Sequence, residues 1–146
     1  MNQKKTNNLQ FFSVSDDTNI KRPFIDSGIK AGFPSPAEDF TEISIDLNLE
    51  LIKNPSSTFF ARVSGNSMKD LGILDGDLII VDKSMEPVSG KIAVCFIDGE
   101  FTLKQIEIKK NYCLLIPANK EYKPIKVTPD NDFIIWGIVT FVIKKT

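Results

Sequence analysis

A lysine and a serine carry the chemistry this sequence offers. In the run Phe101–Lys109, Gln105, Glu107 and Lys109 share one face of an extended strand. Thr102, Lys104, Ile106 and Ile108 share the other. Lys104 is the one charge with core parity. Near a strand end such a lysine snorkels to water. Desolvated instead, its amine falls from the ordinary value of about 10.4 toward roughly 7–8, where it works as a general base. A base needs a nucleophile, and Ser64-Gly65-Asn66-Ser67-Met68 supplies a candidate directly after a β-rich run. Gly65 permits a tight turn, Ser67 is presented beyond the strand end, and consecutive backbone N–H groups in such a turn can face an oxyanion. Alone, Gly-x-Ser marks an ordinary turn in most chains.

The elements that must position these groups are mostly strands. Thr58–Val63, Asp77–Val81, Lys91–Ile97, Phe101–Ile108, Tyr112–Ile116, Lys123–Val127 and Phe133–Ile143 read as β, with turn signals between them. Asp98-Gly99 predicts a two-residue hairpin, because both central positions of a type I′ turn want positive φ. Pro117 and Pro124 confine their strands to ends or edges. Phe133–Ile143 is one long strand or two broken at Gly137. One short helix is expected at Asp46–Lys53, with Asp46 as N-cap and Leu47 and Leu51 one turn apart. The pattern predicts a mainly β, antiparallel domain with little helix.

Residues 1–32 are polar and have no apolar period. They carry five cationic and three anionic side chains, against 13 and 16 in the remainder. They predict a flexible N-terminal arm, joined through Gly32-Phe33-Pro34-Ser35-Pro36 to a domain over 33–146. Phe11-Phe12 is either a short partner-binding element or a disordered pair.

Composition narrows the function classes. The chain has 146 residues, 42% hydrophobic and 25% charged, with a formal charge of −1. No net basic field draws it to nucleic acid, so strong direct DNA binding is not expected. With no histidine, Ser-His-Asp and Cys-His catalysis and histidine-based zinc sites are excluded. Cys95 and Cys113 sit in apolar stretches and read as reduced core thiols, a disulfide being the alternative. The longest uncharged run, Phe133–Ile143, is too short for a membrane span of roughly 18–20 residues. A cytoplasmic location is the default, and neither metal nor cofactor is expected. Trp136 reads as core or dimer interface, and Lys109-Lys110 and Lys144-Lys145 as solvated ends.

Three segments together resemble the LexA/UmuD family of self-cleaving Ser-Lys (S24-type) peptidases. They are Ser64-Gly65-Asn66-Ser67-Met68, Asp75-Gly76-Asp77-Leu78-Ile79 and Asp98-Gly99-Glu100-Phe101-Thr102-Leu103-Lys104. Their order matches the family, as do the 37 positions from Ser67 to Lys104. Phe33-Pro34-Ser35-Pro36-Ala37 and Ile45-Asp46-Leu47-Asn48 resemble the UmuD branch, and the resemblance covers about residues 24–146. It implies a curled antiparallel LexA-like, signal-peptidase-like β domain. It implies Ser67 as nucleophile, Lys104 as general base, and an oxyanion hole from the Asn66 and Ser67 backbone. The bond cut would be Ala31–Gly32, where small side chains let the segment enter a narrow cleft. It further implies a homodimer, self-cleavage stimulated by the RecA filament on single-stranded DNA, and a shortened product. That product would act with a UmuC-type subunit as an error-prone translesion polymerase (DNA polymerase V) in the SOS response to DNA damage.

Other classes compete with this reading. They are a non-catalytic interaction domain with a dead site, a peptidase acting on other proteins, and a DNA-binding repressor. The intact Ser67/Lys104 pair disfavours the first. The missing membrane anchor disfavours the second, and the lack of a reading helix disfavours the third.

Overall fold

The computed structural model describes residues 9–15, 21–25 and 42–146. In chain order the elements are β1 (Gln10–Ser13), β2 (Lys21–Ile25), β3 (Glu42–Asp46), α1 (Leu47–Leu51), β4 (Thr58–Arg62) and β5 (Leu78–Asp82). They continue with β6 (Ile92–Ile97), β7 (Glu100–Ile108), β8 (Cys113–Ile116), β9 (Ile125–Val127) and β10 (Phe133–Ile143). Two compact units contain them. One holds described residues 9–14 and 54–146, the other those between 15 and 53.

In the smaller unit β2 pairs antiparallel with β3, from Lys21 opposite Asp46 to Ile25 opposite Glu42. α1 follows at once. The Asp46 side chain accepts from the Asn48 N–H at 3.0 Å, the N-cap expected from the sequence.

The larger unit is an eight-stranded antiparallel sheet in the order β1-β4-β5-β10-β6-β7-β8-β9. The predicted strands are present within one or two residues of their expected ends. The Lys123–Val127 strand shortens to Ile125–Val127, since Pro124 has no N–H for the ladder. The β6–β7 hairpin turns at Asp98 and Gly99, with φ of 48° and 85° as a type I′ turn requires. Phe133–Ile143 is a single strand, not two. Its register slips between Ile135 and Gly137 against β6 and between Val139 and Phe141 against β5. At Gly137 a Cβ would stand 2.5 Å from Val81 Cγ1, so glycine lets the central strand lie close to its neighbour.

The segment read as an arm without period includes two strands. Sequence pattern misses them because each is only four or five residues long and is defined by its partner. β1 adds to the β4 edge, Gln10 opposite Arg62 and Ser13 opposite Phe59. Phe11 is half-buried and packs on Phe101 and Trp136, with ring centroids 5.0 and 4.7 Å away. Trp136 therefore sits in an aromatic cluster, also touching Phe59, with the Lys83 ammonium 4.8 Å from its ring.

Buried side chains form two clusters. Ala61, Val63, Met68, Ile73, Ile79, Val81, Val94 and Leu103 form one. Ala93, Cys95, Ile106, Leu115, Val127 and Ile138 form the other. β7 contributes to both, so its alternation is less clean than the sequence suggests. Lys104 and Ile106 are buried as expected, but Leu103 is buried too and Ile108 is exposed. Cys95 and Cys113 are free thiols. Lys109 and Lys144 are both solvent-exposed, and Lys144 in addition ion-pairs with the buried Asp77 carboxylate. Among the described residues no helix is long and apolar enough to cross a membrane.

Candidate active site

Ser67 and Lys104 meet inside the larger unit. β4 ends at Arg62 and the chain turns through Gly65, whose φ of 87° favours glycine. The second sequence signature braces this turn. Asp75 Oδ1 accepts the Gly65 N–H at 2.9 Å. Val63 exchanges backbone hydrogen bonds with Asp77 and Gly76, both 2.8 Å. The next residue after Ser67, Met68, is buried, and its Sδ accepts the Ala118 N–H at 3.4 Å. Ser67 is thus half-buried, held by an apolar anchor on one side and a tight turn on the other.

Lys104 enters from β7, opposite Ala93 of β6. It is 5% exposed, a desolvated amine and not a snorkelling one. Nζ lies 3.4 Å from Ser67 Oγ, 2.7 Å from Thr102 Oγ1 and 3.1 Å from the Leu103 carbonyl oxygen. A neutral amine has two N–H donors and one lone pair. Thr102 and Leu103 accept the two donors, which leaves the lone pair for the Ser67 hydroxyl.

The electrostatics favour that neutral form. Burial holds the Lys104 amine below the ordinary lysine range, and a nearby thiolate at Cys95 would act in the opposite sense. Cys95 does not ionise near neutral pH, because burial pushes its thiol up to about 12. Neither ion pair among the described residues involves Lys104, so no carboxylate there stabilises the ammonium.

Asn66 and Ser67 offer the expected pair of backbone donors. Among the described residues no acceptor takes either N–H. Opposite them, Asn119 is 3% exposed and donates from Nδ2 to the Asn66 carbonyl at 2.7 Å. Neither Asn119 nor the role of Thr102 stands out in the sequence. A single polar residue in the loop after Pro117 has no period that betrays its burial. Thr102 was at least visible in its shared parity with Lys104. The expected scissile residues Ala31 and Gly32 lie outside the described residues.

The chain is similar to known proteins over most of its length. The family described as Peptidase S24-like matches residues 23–140. Protein SamA of Salmonella typhimurium is 43% identical over 124 residues, 85% of this chain and 86% of that protein. Protein MucA of Escherichia coli is 42% identical over 119 residues, 81% of each chain. A LexA repressor of Stenotrophomonas maltophilia is 38% identical over 126 residues, 86% of this chain and 59% of the repressor.

Proposed function

This chain belongs to the Peptidase S24-like family, and from that membership and the Ser67–Lys104 pair we propose a Ser-Lys peptidase that cuts its own Ala31–Gly32 bond. The observation that carries the reading is the buried Lys104 amine, 3.4 Å from Ser67 Oγ and in no ion pair among the described residues.

In the proposed reaction Lys104 takes the Ser67 proton while Oγ attacks the Ala31 carbonyl carbon. The resulting oxyanion accepts from the N–H groups of Asn66 and Ser67. The Lys104 ammonium then returns its proton to the Gly32 nitrogen as the C–N bond breaks. An ester between Ser67 and Ala31 remains. Water, deprotonated by the same amine, hydrolyses it and restores the serine. Neither metal nor cofactor enters these steps.

The biological setting we infer is SOS mutagenesis. Similarity to SamA and MucA across most of their length, and to a LexA repressor, supports it. A RecA filament on single-stranded DNA would favour the state in which the Ala31–Gly32 bond occupies the cleft. Residues 33–146 would form the peptidase domain, and cleavage would release residues 1–31. The shortened homodimer would serve a UmuC-type polymerase in translesion synthesis, in the cytoplasm.

Intact mass after incubation with RecA, single-stranded DNA and a nucleotide analogue tests the peptidase step. The expected result is a species beginning at Gly32 from wild type, absent from Ser67→Ala and Lys104→Ala. Wild type that stays intact, also at alkaline pH, would leave an interaction domain with a dead site.

A further inference from the structure

The loop after β8 reaches the nucleophile turn through several hydrogen bonds. The Ala118 carbonyl accepts the Asp70 N–H at 2.7 Å, and the Ala118 N–H donates to Met68 Sδ. Asn119 completes the latch with its side chain. Its Oδ1 accepts the Glu121 N–H at 3.0 Å, and its own carbonyl accepts the Tyr122 N–H at 3.1 Å. Both ends of the amide are therefore occupied, and Nδ2 points at the Asn66 carbonyl. A buried amide satisfied in this way has little rotational freedom.

The target of that donor matters. The Asn66 C=O and the Ser67 N–H belong to one planar trans peptide, so they point in opposite directions. Whatever fixes the carbonyl also aims the N–H. The Asn66 carbonyl is held from two sides, by the Lys69 N–H at 3.2 Å and by Asn119 at 2.7 Å. The Lys69 bond closes the local turn. The Asn119 bond comes from a residue 53 positions away and ties the peptide to the loop after β8. It also polarises the peptide, which strengthens the N–H as a donor.

We propose that Asn119 is a positioning residue for the oxyanion site: by holding the Asn66 carbonyl it aims the Ser67 N–H at the developing oxyanion. This rests on the peptidase reading above. Asn119 hydrogen-bonds neither to the nucleophile's oxygen nor to the base. Its loss therefore lowers the rate of the fully deprotonated enzyme without changing the pH at which Lys104 becomes competent.

The test uses the full chain and its spontaneous self-cleavage at alkaline pH, followed as a first-order rate from about pH 7 to 11. Asn119→Leu keeps the bulk and adds no charge but removes the amide donor. Asn119→Ala removes both. Expected is a plateau rate lowered about 10- to 100-fold in both variants, less than the roughly 100- to 1000-fold of an oxyanion donor removed outright, because the Ser67 N–H is misaimed and not lost. The midpoint of the pH profile should stay where wild type has it. Rates within about twofold of wild type overturn the inference, as does a midpoint that moves with the rate. A second measurement covers variants that fail to fold. In the uncut Ser67→Ala chain, NMR coupling through the hydrogen bond from the Asn119 side-chain amide to the Asn66 carbonyl carbon is expected. Its absence overturns the inference. Wild type that never cleaves defeats the peptidase reading and this inference together. Wild type that cleaves beside two equally active variants defeats the inference alone.

Discussion

Thr102 Oγ1 lies closer to the Lys104 amine than the Ser67 hydroxyl does, at 2.7 Å against 3.4 Å. Two residues apart on one strand, Thr102 and Lys104 project from the same face, and the threonine fixes where the amine points. Replacing Thr102 with valine keeps the shape and removes the acceptor. Self-cleavage should fall about 10- to 100-fold, the range of a misplaced general base. Thermal unfolding within a few degrees of wild type would separate this effect from lost structure.

The pH dependence of cleavage follows from Lys104. Burial lowers its pKa in the folded chain, so the neutral base accumulates below the ordinary lysine value. Cleavage without RecA should rise with pH and level off, with a midpoint below about 10.4. A rate flat between pH 7 and 10 would contradict the assignment of Lys104 as base.

The same burial predicts a stability effect of opposite character. Below its lowered folded pKa, Lys104 must carry a charge in an apolar site, and the penalty is fully present there. As pH rises from the folded toward the unfolded value, the unfolded chain holds more protons and folding gains stability. Lys104→Met should therefore abolish cleavage yet raise the melting temperature at pH 7 by about 2–4 °C. The gain should shrink toward pH 11. Calorimetry at the two pH values checks it.

Two buried carboxylates set the acid limit. Burial would raise Asp77, but the Leu74 N–H and the Lys144 ammonium outweigh it and hold the group below the usual range. Burial acts on Asp82 in the same sense. Donors from Asn54, Ser84 and Ser57 outweigh it, at 2.8, 2.6 and 3.0 Å from the side chains. Both contributions are complete above about pH 3.9 and vanish as pH falls through the lowered folded values. Asp82→Ala strands several donors and should cost about 2–4 kcal/mol by urea unfolding at pH 7. Asp77→Asn should flatten the acid limb of the stability curve.

Gly137→Ala tests the packing of the central strand. Its Cβ would press on Val81, which is fully buried and has no room to withdraw. A loss of about 1–3 kcal/mol is expected. A variant as stable as wild type would mean that the β10 register break absorbs the methyl group.

What the sequence revealed divides along physical lines. The β6–β7 hairpin was legible because Asp98-Gly99 fixes backbone angles locally. Asp46 was legible as a cap because it acts two residues away. Lys104 was visible by parity with Ile106, and its pairing with Ser67 came from resemblance to a family, not from local pattern. Residues whose roles depend on distant partners were not legible. Lys144 is a solvated end, but its ion pair with Asp77, 67 positions earlier, has no local signal. Asn119 looks like loop until its amide is found buried. Gln10–Ser13 has no strand signature of its own, and β4 supplies its register.

That borrowed register has a consequence for the two products of a cut at Ala31–Gly32. Four residues of strand pairing are marginal without a covalent link, and the link supplies the local concentration that keeps them seated. Severing it would turn Gln10–Ser13 from a built-in edge into a dilute peptide ligand. The sheet would become seven-stranded, with β4 presenting an unpaired backbone and Phe101 and Trp136 losing the ring that packs on them. One hydrolysed bond would thus change the outline of the sheet along its β4 edge.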